Sequence, residues 1–249
     1  MTTIHDTGTW VLDLDGVLWL SGEAIEGSTA AVARLRAAGR PVLFVTNNSA
    51  PTVAELQDRL GRIGVEAASD EIVTAAQGAA SLVPEGATVL CIADGGVREA
   101  LAERGVEVIH DGVADVVIVG WTEHFDYDVL AKASAAVRAG GRLIGTNADP
   151  THPTPTGLRP GTGAILAAVE VASGVTATYA GKPNEALRSL VASRGAEVAV
   201  VVGDQDATDG RFADLLGVPF GLVLSGVTRS PIDGRHCFAN LAHVVEAWL

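Results

Sequence analysis

The strongest constraint on the fold is a regular alternation of two kinds of segment along the chain. Short runs rich in β-branched residues are each followed by a longer, alanine-rich amphipathic run, and many of the longer runs end at glycine. Glycine readily adopts the left-handed conformation that ends a helix. The pattern therefore predicts an α/β protein with a parallel sheet covered by helices on both faces. Strands are expected over residues 10–13, 41–46, 88–92, 116–119, 142–145, 198–202 and 220–224, and helices over residues 28–38, 53–63, 97–104, 127–139, 164–172, 185–193 and 211–216.

Composition and charge narrow the classes of partner. The chain has 249 residues, of which 48% are hydrophobic, and a formal net charge of -13. An acidic surface repels phosphate backbones and anionic lipid, so we expect neither nucleic acid nor a membrane as partner. The two cysteines, Cys91 and Cys237, form no CxxC pair. No signal peptide and no bilayer-spanning apolar run is visible, which leads us to expect a cytoplasmic location.

Two acids follow the first expected strand. Asp13 and Asp15 are two residues apart, so their carboxylates point the same way at the carboxyl end of a buried strand. They repel each other unless a cation or proton intervenes, and Mg²⁺ prefers oxygen ligands. The alternative is an ordinary strand followed by an Asp-Gly turn.

Three further polar motifs follow later in the chain. Thr46-Asn47-Asn48-Ser49 ends the second strand and offers hydroxyl, amide and backbone N–H groups for phosphate oxygens, although such residues also serve as turn and cap residues. Lys182 lies in Gly181-Lys182-Pro183 before an expected helix, and Pro183 rules out a P-loop. Asp204 ends another apolar strand and is followed by Thr208-Asp209.

These four motifs, in this order, resemble the haloacid dehalogenase superfamily and, within it, the NagD-like or 4-nitrophenylphosphatase-like branch. The resemblance runs from Asp13 to Thr228 and includes Thr146-Asn147 and the stretch from Pro160 to Ala164. It implies a Rossmann-like parallel-sheet core with an inserted α/β cap domain. On that basis we expect a discontinuous core domain, residues 1–71 and 178–249, and a cap domain of residues 72–177.

The resemblance also implies roles for individual residues. It makes Asp13 the nucleophile that forms an aspartyl-phosphate, and Asp15 the acid and base. It implies that Asp13, Asp204 and the backbone carbonyl of Asp15 bind Mg²⁺, with Asp209 supporting them. Thr46 and Asn47 are then expected to bind the transferring phosphoryl group, and Lys182 to hold that group against the nucleophile. Mg²⁺ and a lysine remove the repulsion between several carboxylates and a phosphate.

The motif around Asp204 departs from the family pattern. An amide or basic residue and then a leucine usually follow this aspartate, whereas here Gln205 is followed by Asp206. The usual isoleucine after Asp209 is replaced by Gly210. These changes concern the rim of the site and the packing of its helix.

Substrate selection is expected to come from the cap domain. Residues 147–163 contain four prolines and three glycines and are expected to form an irregular loop, a frequent location of specificity residues. We expect Asn147, Asp149 and His152 of this loop to contact substrate, with a purely structural role as the alternative. The stretch Asp149-Pro150-Thr151-His152-Pro153 resembles branch members that act on pyridoxal phosphate, phosphoglycolate or glycerol phosphate.

The sequence thus predicts a Mg²⁺-dependent phosphatase of small phosphorylated metabolites such as sugar, glycerol, glycolate or pyridoxal phosphates. One alternative is a phosphotransferase or phosphomutase of the same superfamily, which differs in its acceptor. Another is a non-catalytic protein that binds phosphorylated metabolites, although the acid set and Lys182 are complete. A homodimer formed through the cap domain is also expected.

Overall fold

The structure is a computed structural model that describes residues 4, 7–20, 22–154, 157–195 and 197–249, without the side chains of residues 152–154. Contacts divide the chain into two compact units. The first unit consists of Met1–Thr46, Val53–Val73 and Arg188–Leu249, and the second of Asn47–Thr52 and Thr74–Leu187. This division assigns residues 178–187, which include Lys182, to the second unit, whereas the expected domain boundary placed them with the core.

The first unit is built on a six-stranded sheet. Its strands are β1 Thr9–Leu12, β4 Val42–Thr46, β5 Ile72–Thr74, β13 Val198–Gly203, β14 Phe220–Val223 and β15 His236–Phe238. Their order in the sheet is β15-β14-β13-β1-β4-β5, and β1 pairs in parallel with β13 and β4. Separately, β2 Trp19–Leu20 pairs with β3 Glu23–Ala24. Its helices are α1 Ser28–Ala37, α2 Val53–Arg62, α8 Arg211–Leu216 and α9 Leu241–Trp248. A 3₁₀ turn covers Ser69–Glu71, and a π-helical turn covers Asp206–Gly210.

The core of the first unit explains why these residues form these elements. Alternate residues of β1, Trp10 and Leu12, are at most 1% exposed and belong to one apolar cluster. Leu35 of α1, Leu60 of α2 and Val245 of α9 belong to the same cluster. Apolar residues at strand and helix spacing therefore meet in one layer between sheet and helices.

The second unit has its own five-stranded sheet. Its strands are β6 Thr88–Ile92, β7 Glu107–Ile109, β8 Val116–Val119, β9 Arg142–Gly145 and β12 Thr178–Tyr179. They lie in the order β12-β9-β8-β6-β7, and all four strand pairs in this sheet are parallel. The helices of this unit are α3 Ala75–Ser81, α4 Gly95–Glu103, α5 Tyr127–Arg138 and α6 Thr162–Ser173. Helix α7, Glu185–Ser193, begins in this unit and ends in the first. Two apolar clusters fill this unit.

The expected α/β class, a parallel Rossmann-like core with a second α/β unit inserted into it, is confirmed. The seven expected strands all form, with ends that agree to within one residue. The sequence prediction missed helices α3 and α9, several short edge strands and the π-helical turn. None of the helices formed by the described residues is long and apolar enough to cross a bilayer.

The expectation of an irregular loop over residues 147–163 was wrong in part. Thr151–Thr154 and Gly157–Pro160 form strands β10 and β11, which pair antiparallel, and α6 begins at Thr162. Prolines at two positions of this ladder argued against strands in the sequence. A hairpin outside a larger sheet accepts proline because it has edge positions whose N–H groups need no partner.

Candidate active site

The chain reverses its order of strands at the middle of the first sheet. From β1 it passes to β4 and β5 on one side, and it returns much later to β13 and β14 on the other. Open α/β sheets bind ligands beyond the carboxyl ends of the strands at such a reversal. Asp13 directly follows β1 and Asp204 directly follows β13. The fold therefore places both predicted acids where a ligand site is expected.

Three buried carboxylates meet at this point. One oxygen from each of Asp13, Asp204 and Asp209 lies within 4.8 Å of the others. Asp13 is 8% exposed, Asp204 2% and Asp209 0%, so water does little to screen their mutual repulsion. A donor set made only of carboxylate oxygens suits a hard dication such as Mg²⁺. The residues present thus fit the metal that the family resemblance implies.

The backbone around Asp204 is shaped to hold its carboxylate. Oδ2 of Asp204 accepts a hydrogen bond from the N–H of Val227 at 2.5 Å. A Cβ on Gly226 or on Gly16 would overlap this carboxylate, and Gly16 also has a φ of 79°. Glycine is required at both positions because the backbone approaches the carboxylate closely. The hydroxyl of Ser225 donates to the carbonyl of Gly16 at 2.7 Å and fixes the two segments together.

Asp209 is held by the turn that follows β13. Its Oδ2 accepts the N–H of Gln205 at 3.1 Å, and its own N–H donates to the carbonyl of Gln205 at 2.8 Å. A Cβ on Gly203 would overlap the Asp209 side chain, so this glycine provides the space for it. These contacts bring Asp209 into the same carboxylate group as Asp13.

Asp15 has a different environment from the other acids. It is half-buried, and its Oδ1 accepts a hydrogen bond from the indole N–H of Trp19 at 2.9 Å. Its carboxylate is not a member of the three-carboxylate group, which leaves its backbone carbonyl as the metal ligand implied by the resemblance. The bond to Trp19, which was not expected from the sequence, fixes the orientation of the side chain. Thr46, the last residue of β4, is 1% exposed.

In the second unit, Asn47 is joined to the backbone of Lys182 by both ends of its amide. Oδ1 of Asn47 accepts the N–H of Lys182 at 2.7 Å, and Nδ2 donates to the Lys182 carbonyl at 3.3 Å. The preceding Gly181 has no room for a side chain, because a Cβ would lie 2.5 Å from Oδ1 of Asn47. Lys182 itself is 4% exposed. Two motifs that lie far apart in the sequence are therefore joined directly.

Asn147 extends this network towards the predicted specificity segment. Its Nδ2 donates to the carbonyl of Asn47 at 2.8 Å, and its Oδ1 accepts the N–H of Asp149 at 3.0 Å. Asp149 is half-buried, and its carbonyl accepts the N–H of Gly163 at 2.9 Å. These bonds position the loop. Direct contact of Asn47, Asn147 and Asp149 with substrate stays a prediction.

His152 lies in strand β10, where its backbone is opposite Arg159. Its side chain lies outside the described part of the structure, and its contact with substrate stays a prediction. The indole N–H of Trp121 donates to the carbonyl of Pro160 at 3.2 Å, and Arg159 forms an ion pair with Glu123. The β10–β11 hairpin is thus attached to the segment that follows β8.

A cavity of about 430 Å³ opens beside the carboxyl end of β6 in the second unit, with Arg98 and Lys132 among its lining residues. It is lined by none of the predicted site residues. Cys91 also lines it, and burial raises the pKa of this thiol to about 11. The thiol is therefore protonated near neutral pH, which argues against Cys91 as a nucleophile.

Two sequence profiles of one family match the chain, in the order expected from its motifs. A haloacid dehalogenase-like hydrolase profile matches residues 10–107, and a HAD-hydrolase-like profile matches residues 179–246. The acid sugar phosphatase of Staphylococcus saprophyticus is 36% identical over 251 residues, covering 95% of this chain and 96% of the relative. The chain belongs to the haloacid dehalogenase-like hydrolases.

Solved structures identify the branch of this family. The p-nitrophenyl phosphatase from Archaeoglobus fulgidus is 31% identical with a TM-score of 0.89, covering 98% of this chain and 100% of the other. A glycerol phosphate phosphatase from Mycobacterium tuberculosis in complex with calcium is 31% identical with a TM-score of 0.87, covering 95% of this chain and 74% of the other. The same enzyme is also known in complex with magnesium. The chain is a phosphatase of the 4-nitrophenylphosphatase-like branch.

Some parts of the site had no counterpart in the sequence prediction. The backbone N–H of Val227, the indole of Trp19 and the glycines that accommodate Asp204 and Asp209 were not assigned to it. A usable signal existed for Gly16 and Gly226, because glycine beside acidic motifs indicates close backbone approach. The Trp19 contact gave no such signal, since a tryptophan four residues after an acid is most often a core residue.

Proposed function

We propose that this phosphatase hydrolyses small phosphate monoesters through a covalent phosphoryl group on Asp13, with Mg²⁺ as its cation. The observation that carries the proposal is the buried group of Asp13, Asp204 and Asp209 at the reversal point of the sheet. A bound cation relieves the repulsion between neighbouring buried carboxylates. When bound there, Mg²⁺ would neutralise charge on the carboxylates and on the phosphoryl oxygens.

In the first proposed step, a carboxylate oxygen of Asp13 attacks phosphorus. The bond from phosphorus to the leaving oxygen breaks, and protonated Asp15 gives its proton to that oxygen, so an alcohol leaves. Asp13 then carries the phosphoryl group as an acyl phosphate. The Trp19 hydrogen bond to Oδ1 of Asp15 supports this role, because it holds the carboxyl group in one orientation.

In the second step, water attacks the same phosphorus atom while the Asp15 carboxylate accepts a proton from it. The bond from phosphorus to Asp13 breaks, which releases inorganic phosphate and restores both aspartates to their starting states. We assign Thr46 and Asn47 to the phosphoryl oxygens and Lys182 to neutralisation of their charge, as the family resemblance implies. The buried position of Lys182 supports the assignment, since a buried ammonium is stabilised by an anionic partner.

For the substrate, we propose the phosphates of sugars, glycerol, glycolate or pyridoxal. The support is the resemblance of the Asp149–Pro153 stretch and the names of two similar proteins, an acid sugar phosphatase and a glycerol phosphate phosphatase. The segment from Asn147 to Gly163, in the second unit, is proposed to distinguish among them. A cytosolic location and self-association through the cap domain are also part of the proposal, and size-exclusion chromatography with light scattering tests the latter.

The test is phosphate release from a panel of these metabolites, each with Mg²⁺ and with excess chelator. We expect turnover of at least one substrate with Mg²⁺ and almost none with chelator. Full activity in chelator would refute the metal requirement. Phosphorylation of an added sugar in place of water would favour the phosphotransferase alternative.

A further inference from the structure

The turn that follows Asp204 contains the residues at which this chain departs from the family pattern. Asp206–Gly210 forms a π-helical turn, in which the N–H of Gly210 donates to the carbonyl of Gln205 at 3.3 Å. Single π-helical turns are rare in proteins overall, and those that occur are often at functional sites. This turn also carries Asp209, a member of the buried carboxylate group.

Glycine is required at position 210 because there is no room for a side chain, and not because of its backbone conformation. Its φ of -63° and ψ of -47° are ordinary helical values, which alanine adopts more favourably than glycine. A Cβ at this position, however, would overlap Oδ1 of Asp206 and would lie 3.1 Å from the ring of Phe220. The absence of a side chain at Gly210 thus makes room for the Asp206 carboxylate, and the two departures depend on each other.

Arg235, just before β15, occupies the other side of this carboxylate. Its Nε lies 2.5 Å from Oδ1 of Asp206, while Nη1 and Nη2 bind the two oxygens of Asp214 in α8 at 2.9 and 2.8 Å. The guanidinium also lies 5.6 Å from the centroid of the Phe220 ring. Only a planar guanidinium can make this set of contacts.

Two features distinguish this arrangement from an ordinary surface ion pair. An isolated exposed pair contributes little, because two long side chains must be ordered in water. Here the Arg235 side chain is only 24% exposed and is held by three elements. The hydrogen bonds from Arg235 also lower the pKa of Asp214, whose charged form they stabilise.

We propose that Arg235, Asp206 and Gly210 form a clamp that positions Asp204 and Asp209 to bind the divalent cation. The three residues act as positioning residues, and the inference rests on the cation site of the proposed function. The clamp takes the place of the apolar contacts expected from leucine and isoleucine in the usual family pattern. It connects the loop before β15 to the metal-binding turn after β13.

The first experiment measures Mg²⁺ affinity by titration calorimetry on the metal-free enzyme and on Arg235→Ala and Arg235→Lys. We expect the dissociation constant to rise about three- to tenfold in Arg235→Ala, somewhat below the usual effect of residues that directly support metal ligands. Arg235→Lys should recover little, because lysine cannot bind both aspartates in the same geometry.

The matched control is Arg36→Ala in the same unit. Arg36 pairs with Glu71 at 2.8 Å and donates to the Glu66 carbonyl at 2.5 Å, so its loss should lower the melting temperature without changing Mg²⁺ affinity. Equal Mg²⁺ affinities in Arg235→Ala and the control would overturn the clamp. If the wild-type enzyme binds no divalent cation, the proposed metal site fails as well. Asp214→Asn provides a milder disruption if Arg235→Ala does not fold.

The second experiment tests the dependence of Gly210 on Asp206 without reference to metal. Gly210→Ala should lower the melting temperature by about 3 °C or more in the wild-type background. In an Asp206→Ala background the same change should lower the melting temperature by less than half as much. The contact with Phe220 should account for the decrease that remains. Equal shifts in both backgrounds would show that Gly210 does not accommodate Asp206 and would overturn that part of the clamp.

Discussion

The polar loops of the two units are stabilised in opposite ways. In the first unit, Asp13, Asp204 and Asp209 bring like charges together in a buried position. In the second, Asn47 and Asn147 connect to Lys182 and Asp149 through hydrogen bonds to backbone groups. A bound cation or a proton relieves the repulsion in the first arrangement, whereas the second consists of hydrogen bonds between amide and backbone groups.

This difference indicates a division of tasks. A group of neighbouring buried carboxylates favours a cation and is well suited to chemistry on an anionic phosphoryl group. A neutral amide network has no such preference, but it holds the backbone of Lys182 and that of Asp149. The first unit is therefore expected to respond strongly to charge and metal, and the second to loss of individual hydrogen bonds.

The largest effect is expected from Asp13→Asn. This change keeps the size of the side chain but removes the nucleophilic carboxylate, so turnover should fall on the order of 10⁴-fold or more. Circular dichroism should show an intact fold, because fewer like charges are buried. Appreciable steady-state hydrolysis by a preparation shown by mass spectrometry to be free of deamidation would contradict the covalent mechanism.

Replacement of Mg²⁺ by Ca²⁺ should remove most of the activity. Ca²⁺ takes six to eight oxygen ligands and readily binds carboxylates through both oxygens, which would occupy the oxygen of Asp13 that attacks phosphorus. The measurement is phosphate release with Mg²⁺ alone, with Ca²⁺ alone and at fixed Mg²⁺ with increasing Ca²⁺, with melting temperature recorded in parallel. Ca²⁺ should inhibit while still stabilising the protein, and equal activity with either ion would contradict this role of Asp13.

A smaller effect is expected from Asn47→Ala in the second unit. The change removes both amide contacts with the backbone of Lys182 and leaves buried groups without partners, at a cost of about 1–3 kcal/mol. We expect this cost to appear in the free energy of unfolding and also as a lower kcat/KM, because Lys182 loses its fixed position.

Gln57→Ala is the matched control for Asn47→Ala. Its amide Nε2 likewise donates to a backbone carbonyl, that of Ala67, at 2.8 Å, but it lies in α2 and is not a site residue. Its loss should reduce stability while leaving kcat/KM unchanged. If the two variants lose activity in the same proportion as stability, the Asn47 network has a purely structural role.

The smallest effect is expected from Asp149→Ala and His152→Ala on specificity. The phosphoryl group is common to all monoesters, so these residues should affect only contacts with the rest of the substrate. Loss of one neutral hydrogen bond costs about 0.5–1.5 kcal/mol, or up to roughly tenfold in relative kcat/KM. The measured quantity is the ratio of kcat/KM for a metabolite phosphate to that for an aryl phosphate. An unchanged ratio would place the specificity residues elsewhere.

The parallel strands and acid positions could be predicted because both follow from short stretches of sequence. The β-branched run before Asp13 and the run before Asp204 each indicate a buried strand, and parallel strands bring their carboxyl ends to one edge. The presence of Asp209 in the carboxylate group was harder to predict from the sequence. Asp209 lies in the π-helical turn, and Asp206 of that turn pairs with Arg235, which is distant in the sequence.

The amide network shows a second limit. The sequence indicated that Asn47 and Lys182 belong to one site, but not that the Asn47 amide would bind the lysine backbone. The β10–β11 hairpin was missed because proline lowers strand propensity locally, while pairing between two specific segments restores it. Local preferences were therefore informative for the sheets, and contacts between distant segments determined the rest.

The central position of β1 has a consequence for synthesis of the chain. One edge of β1 pairs with β4 soon after translation begins, but its other partner, β13, is made only when most of the chain has left the ribosome. At typical elongation rates this interval lasts roughly 10–40 s. Throughout it, an apolar strand edge has no native neighbour and is prone to pairing with other chains. Fragments that end before β13 should therefore aggregate, and early folding of the second unit, which is complete in sequence before β13, should limit this exposure in the growing polypeptide.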